Sequence, residues 1–344
     1  MVTNWNFSTL WNKALLNQPQ REMKPRNYLY ASELGGSKVD IYLKMMGTKP
    51  TNPPNFRSLR KFQAGYLWEW IIKLVFTQVG LLKSVEVPVR SQDKGMLMVS
   101  GRLDVIAGGK PKFDEAIVHI KELGLPETLE NATIFMINEL ALEYGEKEFE
   151  TYVVEVKSIS AMMFEAYKKR RASYPLHCLQ LFHYVRSGNM ANLGKIVYVC
   201  KDDCRLLEYN ISKDNEQLEK IYTDFVTEMT DYYNSNTMPP IEKFLTFDLD
   251  TFRFSKNWKV EYSNYLTMLY GFETPKAFAD IYTSKANSFN RVFKRFVLGE
   301  KITDKNMEIL KEMQEWLPNI VEQVKNAKES GIFEEQEDNE TEQE

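Results

Sequence analysis

Cysteine is nearly missing from this sequence: Cys178, Cys200 and Cys204 are the only three among 344 residues. Three thiols exclude a disulfide framework and leave the reducing cytosol as the expected compartment. Cys200 and Cys204 bracket Lys201-Asp202-Asp203, which reads as a hairpin turn rather than half a metal site, because no second Cys or His pair lies nearby. No run of 18 apolar residues occurs, so no membrane span is expected. The stretch Met1-Val2-Thr3-Asn4-Trp5-Asn6 has neither the basic nor the apolar segment of a secretory signal, and none is expected. Internal repeats are also absent. What remains is an ordinary globular composition, 43% hydrophobic and 27% charged, with enough aromatic residues (13%) for a large core. The length exceeds the usual single domain, so a core with additions, or a core with a small helical domain, is expected.

The formal net charge of −4 speaks at first against a nucleic-acid partner. Residues 334–344, however, hold seven acids and no base. Without them the chain carries 44 basic and 41 acidic residues, a net of +3, which permits DNA binding. An acidic terminus with little apolar content is expected to be a disordered tail, covering 331–344.

Hydrophobic periodicity places the elements. Residues 1–55 read as a mixed helical and irregular extension, with a short strand or turn and a helix between Tyr28 and Gly47. Arg57 to Gly80 keeps a helical period through Leu59, Phe62, Tyr66, Leu67, Trp70, Ile71, Leu74 and Val75, with Gly80 as the stop. Strands are expected at Val85–Arg90, Met96–Ala107 and Thr151–Ile159. Residues 110–149 read as an insertion, helix or added strand. Helices follow at Ala161–Ala172 and from Pro175 to Arg186, then a hairpin of Lys195–Cys200 with Arg205–Ile211, then a helix over Asn215–Tyr233. This order is an α/β pattern with a mixed sheet, spanning 56–240. After Pro239-Pro240 comes an aromatic, irregular stretch, and 241–330 is expected to be helical and packed on the core.

Two short motifs stand out. Gly101-Arg102-Leu103-Asp104 lies in one expected strand, and Glu155-Val156-Lys157 lies in another, 51 residues after the aspartate. Both carboxylates sit in apolar strand sequence, where an unpaired charge is costly. Paired strands would bring two carboxylates and one ammonium around a divalent cation. Glu155 and Lys157 are two apart and so share a strand face. Gly65 and Glu69, and further on Gln180 and Tyr184, are each four apart on helices and share helix faces. His177 and His183 flank the last pair and read as packing residues.

This ordered series, over roughly Tyr30 to Tyr265, resembles the PD-(D/E)XK nucleases, specifically the RecB-type branch. The resemblance implies a restriction-endonuclease-like fold, with a central mixed sheet flanked by helices plus helical additions. It implies a Mg²⁺- or Mn²⁺-dependent deoxyribonuclease, held in the cytoplasm of a bacterium or a phage-infected host. Metal ligands would be Glu69, Asp104, Glu155 and the backbone carbonyl of Val156; Lys157 would orient water and stabilise developing charge. Gln180 and Tyr184 resemble the Q-x-x-x-Y motif beside the active site and the DNA. Arg102, and the run Lys168-Lys169-Arg170-Arg171, are expected to contact phosphates.

The implied partner is DNA, as single strands or double-stranded ends, with protein partners in a recombination, replication, repair or defence complex. An exonuclease, or a nuclease of DNA ends and flaps, is the expected activity. A site-specific endonuclease, or a non-catalytic DNA-binding or assembly protein on the same fold, is the alternative. The sequence departs from the CRISPR-associated RecB-like exonucleases at their iron–sulfur cysteines. Trp258-Lys259-Val260-Glu261-Tyr262-Ser263-Asn264-Tyr265 carries Val260 and Ser263 in the cysteine places, and Ser37 or a neighbour occupies the N-terminal one. No iron–sulfur cluster is expected.

Overall fold

The computed structural model describes residues 6–16 and 23–330; the acidic tail lies outside them. The chain forms two compact units. One takes residues up to Thr48 together with Pro54–Pro239; the other takes Lys49–Pro53 and the residues from Pro240 onward.

The first unit begins with α1 (Phe7–Leu16), β1 (Tyr28–Tyr30) and α2 (Lys38–Met45). The Ser37 hydroxyl caps α2 by accepting from the Asp40 N–H. The long helix α3 (Phe56–Gln78) is capped by Asn55, whose side chain accepts from the Ser58 N–H. It stops where Gly80 turns to φ +67°, a left-handed conformation that glycine adopts without steric cost. Then come β2 (Leu82–Ser91), β3 (Met98–Gly109), α4 (Phe113–Glu122), α5 (Glu127–Tyr144) and β4 (Phe149–Ile159). The 110–149 stretch, readable as helix or strand, is thus a helical pair, closed on its own apolar contact of Phe113, Ala116, Ile120 and Ile137. After β4 come α6 (Ala161–Arg170), capped by Ser160, and α7 (Pro175–Gly188), opened by Pro175. β5 (Leu193–Cys200), β6 (Leu206–Ser212) and α8 (Glu216–Asn234) complete the unit.

The strands form one mixed sheet in the order β1-β3-β4-β5-β6, with β2 on the other edge of β3. β4 and β5 run parallel, as do β1 and β3; the remaining pairs are antiparallel. Parallel neighbours need a crossover, which α6 and α7 supply between β4 and β5. β5 is buried on both faces, so Ile196 to Cys200 reads as an unbroken apolar run. Leu103, Val153, Ile196 and Tyr198 pack with Leu181 and Phe182 of α7. Val105, Val154, Val156 and Val197 pack in a second layer with Ile72 of α3. The expected α/β class, with a central mixed sheet flanked by helices and with helical additions, is the observed one. β1 pairs into this sheet although it falls within the stretch set apart as an N-terminal extension.

In the second unit, the stretch expected to be irregular holds a small antiparallel hairpin of β7 (Leu245–Asp248) and β8 (Arg253–Lys256). Two short helices, α9 (Trp258–Glu261) and α10 (Leu266–Tyr270), precede α11 (Pro275–Val297), α12 (Asp304–Trp316) and α13 (Ile320–Glu329). Asn290 of α11 clamps β8: its side chain accepts from the Phe254 N–H at 2.6 Å and donates to the Phe254 carbonyl at 3.0 Å. Val260 and Ser263 are buried in this unit. Asn52 ties in the Lys49–Pro53 segment by donating its N–H to the Asn264 carbonyl at 2.8 Å. Among the described residues no helix is long and apolar enough to cross a membrane.

Candidate active site

The site forms where two strands part. β3 pairs with β4 only as far as Val105 opposite Val154. Beyond that point the same edge of β3 is open until Ser100, where β1 takes over. Gly101-Arg102-Leu103-Asp104 fills this gap, and continuing the ladder register would set Asp104 opposite Glu155. Asp104 replaces the missing ladder bond: its Oδ2 accepts from the Val156 N–H at 2.8 Å. The pleat is disturbed here as well, since Leu103 and Val105 pack into different core layers.

Glu155 is 1% exposed. Its Oε1 accepts from the Lys157 ammonium at 2.5 Å and from the Gln180 amide at 2.7 Å. Its Oε2 is buried with no hydrogen-bond partner among the described residues. Gln180 in turn donates to the Tyr184 hydroxyl at 3.3 Å, and that hydroxyl donates to the Arg102 carbonyl at 3.2 Å. The four-residue spacing on α7 therefore braces both strands at once. Gly101 makes this possible: a Cβ there would lie 2.6 Å from a Tyr184 ring carbon and 2.8 Å from the Ala31 Cβ. Gly65 has no comparable neighbour, the nearest atom being Ser158 Oγ at 3.7 Å.

α3 brings Glu69 to the same cleft, where it pairs with Lys73 one turn on. Lys73 also pairs with Glu86 of β2, and Glu86 reaches Arg102 at 2.5 Å. Glu86 has φ +54°, a left-handed backbone for a non-glycine residue within a strand, and by register it lies opposite Asp104. Such backbone costs of order 1–3 kcal/mol and concentrates at functional positions. Neither Lys73 nor Glu86 was singled out in the sequence. Lys73 was detectable as the i+4 partner of Glu69, whereas nothing in the sequence signals the Glu86 backbone.

The electrostatics follow from burial. Asp104 is pushed up to about 7, first by burial and then by the neighbouring Glu155 charge. Burial also raises Glu155, against the pull of Lys157, and raises Glu69, helped by Asp104. Burial would lower the Lys157 ammonium, but Glu155 and Asp104 outweigh it and hold the proton more firmly than usual. His177 falls to about 3 and His183 to about 4, chiefly by burial, so both are neutral packing residues.

Asp104, Glu155, Lys157, Glu69, Gln180 and Tyr184 line a cleft of about 680 Å³ with Tyr28, Tyr30, Tyr66 and Arg90. A second concavity of about 510 Å³, beside α4, holds only surface pairs such as Lys112–Glu115 and has no buried acid. The donor set of the first cleft suits a hard divalent cation: carboxylate oxygens, one of them buried and unshared, and an acid whose ionisation is opposed by its neighbour. Asp104 and Glu155 are the residues that would hold it. Glu69 would first have to leave Lys73, and among the described residues no three Asp, Glu, His or Cys side chains form a ready-made cluster. Val156 contributes its N–H to Asp104; its carbonyl lies on the strand between Glu155 and Lys157. Arg102 lines the cleft, with a side chain 68% exposed. Lys168, Lys169, Arg170 and Arg171 are exposed at the end of α6 and are not among the residues lining the cleft. There they stand where the helix dipole favours cations.

No family model matches the sequence, and no curated protein matches it either. Among solved structures the chain is similar to SSO0001, with 14% identity, a TM-score of 0.40, and coverage of 77% of this chain and 96% of that one. It is also similar to the alkaline exonuclease LHK-Exo from Laribacter hongkongensis, with 11% identity, a TM-score of 0.37, and coverage of 66% and 97%. The dAMP complex of LHK-Exo matches over the same shares at 12% identity and a TM-score of 0.37. At this distance the likenesses do not assign the chain to a family.

Proposed function

We propose that this protein is a Mg²⁺- or Mn²⁺-dependent deoxyribonuclease of the RecB-type PD-(D/E)XK kind, acting on DNA ends or flaps. The observation that carries the reading is Glu155: a fully buried carboxylate, one oxygen held by Lys157 and Gln180 and the other unpartnered, facing Asp104 across a strand fork in an open cleft. A buried acid with an open oxygen is expensive to maintain for structure alone.

Asp104 and Glu155 would hold the cation, with Glu69 and the Val156 carbonyl available to it. The bound cation would activate water and neutralise phosphoryl charge. Lys157 keeps its proton because two acids face it, so it presents a fixed positive charge to a phosphate and orients the attacking water. Gln180 and Tyr184 fix the Glu155 carboxylate and the Arg102 backbone relative to each other. Arg102, mostly exposed in the cleft and paired with Glu86, would meet phosphate. The preference for ends over internal sites rests on the resemblance of the Gln180/Tyr184 pair to the RecB-type motif.

The test is cleavage of linear and covalently closed circular DNA with Mg²⁺, Mn²⁺ or EDTA, by wild-type and Lys157→Ala proteins. Degradation of linear DNA alone is expected, stopping in EDTA and falling roughly 100-fold or more in the variant. Cleavage that persists in chelator, or near wild-type turnover by the variant, overturns the assignment. Cutting of the closed circle at discrete sites would instead identify a site-specific endonuclease.

A further inference from the structure

We propose that Phe62 and Tyr66 of α3 form a stacking platform for the bases of a single DNA strand entering the cleft. This rests on the nuclease reading and adds to it the residues that would hold the unpaired strand. The long helix α3 buries Ile72 against the sheet and turns Glu69 and Lys73 toward the strand fork. At about 100° per residue, positions 62, 66, 69 and 73 fall within an arc of about 60°. Phe62 and Tyr66 therefore continue, toward the helix N-terminus, the stripe that carries Glu69. Tyr66 itself lines the cleft together with Glu69, Asp104, Glu155 and Lys157.

Burial and chemistry single out these two rings. Phe62 is 55% exposed and Tyr66 70%, and Trp70, the next ring one turn along, is 56% exposed. Core-facing aromatics of this protein pack ring against ring, as Phe254 does with Phe289 at 5.0 Å. Across the same cleft, Tyr28 and Tyr30 join hydroxyls at 3.0 Å, and the Arg26 guanidinium covers the Tyr30 ring at 4.4 Å. Phe62 and Tyr66 instead are mostly exposed: Tyr66 lines the cleft, and Phe62 stands one turn before it on the same stripe of α3. Successive turns separate them by about 6 Å along the helix, a spacing that suits neighbouring bases of an extended, unstacked strand better than the tighter stack of a duplex.

The chemistry on the cleft floor complements the rings. Arg90 and Arg102 line it, Arg102 beside its partner Glu86, and bring guanidinium groups within reach of phosphates. Aromatic platforms combined with a cationic track are how proteins hold single strands without reading sequence, since every base has a π face. A paired duplex keeps those faces covered by its own stacking. The aliphatic residues Leu67, Ile71 and Val75, also exposed on α3, lie on a different side of the helix and do not line the cleft.

Fluorescence anisotropy in EDTA reads binding without turnover, using the full chain, a labelled single-stranded oligonucleotide and a blunt duplex of equal length over a salt series. Wild-type protein should prefer the single strand. Phe62→Ala and Tyr66→Ala should each weaken single-strand binding by roughly 5- to 150-fold. Loss of a ring removes no charge, so the salt slope should stay unchanged, and Tyr66→Trp should restore affinity. Circular dichroism confirms that the variants fold. The inference is overturned by wild-type affinity in both alanine variants, by an equal loss on the blunt duplex, or by no single-strand binding in the wild type. A change confined to the mass in solution would also overturn it and mark the face as a protein interface. Mg²⁺-dependent cleavage by the same wild-type preparation is scored separately. Ring-dependent binding without cleavage would refute the nuclease reading and leave the platform; cleavage without ring dependence would do the reverse.

Discussion

Asp104→Asn should make the metal-free protein more stable and, at the same time, inactive. In the fold the Asp104 acid is raised from 3.8 to about 7, by burial and then by Glu155. The folded protein therefore binds a proton that the unfolded chain has released between about pH 4 and pH 7. Stability falls with pH across that window by about 1.4 kcal/mol per pH unit, reaching about 4 kcal/mol above pH 7. That is a large part of the 5–15 kcal/mol typical of a folded domain. Asparagine has nearly the same shape, and its oxygen still accepts from the Val156 N–H, so the variant keeps the geometry and loses the charge. Urea denaturation in EDTA at pH 4, 6 and 8 measures the difference. The curves should nearly coincide at pH 4, and the variant should be more stable by up to about 4 kcal/mol at pH 8. Adding Mg²⁺ should narrow the gap from the wild-type side, since a ligand at 100 times its Kd adds about 2.7 kcal/mol to the state that binds it. A variant no more stable than wild type at pH 8 in EDTA, beside a flat wild-type profile, would refute the reasoning.

Gly101→Ala should destabilise by about 1–3 kcal/mol and impair cleavage, because its Cβ would meet the Tyr184 ring at 2.6 Å. Gly65→Ala, whose nearest contact is 3.7 Å, should be tolerated and gain up to about 1 kcal/mol of helix propensity; thermal melts compare the two. An anaerobic preparation should contain no stoichiometric iron and show no broad visible band, because Val260 and Ser263 offer no thiolates. Stoichiometric iron with such a band would give Cys178, Cys200 or Cys204 a role that their positions do not suggest.

Several of these residues could be read from sequence because they violate the pattern around them. Asp104 and Glu155 are charges within apolar strand runs, and Lys157 follows at the strand period. Gln180 and Tyr184 follow the helix period, and their joint bracing of Glu155 and Arg102 is what that spacing achieves in three dimensions. Other features depend on pairing that one sequence does not display. The end of the β3–β4 ladder at Val105, which opens the fork, is a matter of register between strands far apart in the chain. The left-handed backbone of Glu86 sits at a residue type that gives no hint of it. Within 110–149, α4 is only 10 residues long, and α5, at 18 residues, leaves Leu129, Phe135, Met136 and Leu142 exposed, so its apolar residues do not keep to one face and its period is weak. The β7–β8 hairpin was hidden because its aromatic residues follow a proline pair and its strands span four residues each. Lys168 to Arg171 follow the Glu155 strand closely in sequence and are exposed at the end of α6, but they are not among the residues lining the cleft, and closeness in sequence alone did not say which surface they would share.

The charges around the cleft also bear on how such a site meets DNA. Glu69, Glu86, Asp104 and Glu155 are matched in number by Lys73, Arg90, Arg102 and Lys157, and three of those bases are already committed to the acids. A cleft balanced in this way offers a polyanion little net attraction by itself. On the proposed function, a divalent cation held by Asp104 and Glu155 would keep both acids ionised and leave the cleft net positive. It would also compete with Lys73 for Glu69, and a freed Lys73 would add to the positive side. The same step would thus complete the metal site and admit the phosphate backbone. On that function, the energy stored at Asp104 and at the open Glu155 oxygen would be recovered on cation binding, which would account for the unfavourable charge kept in the metal-free fold. It follows that DNA affinity at the floor of the cleft should rise with the cation, while stacking on Phe62 and Tyr66, which involves no charge, should not.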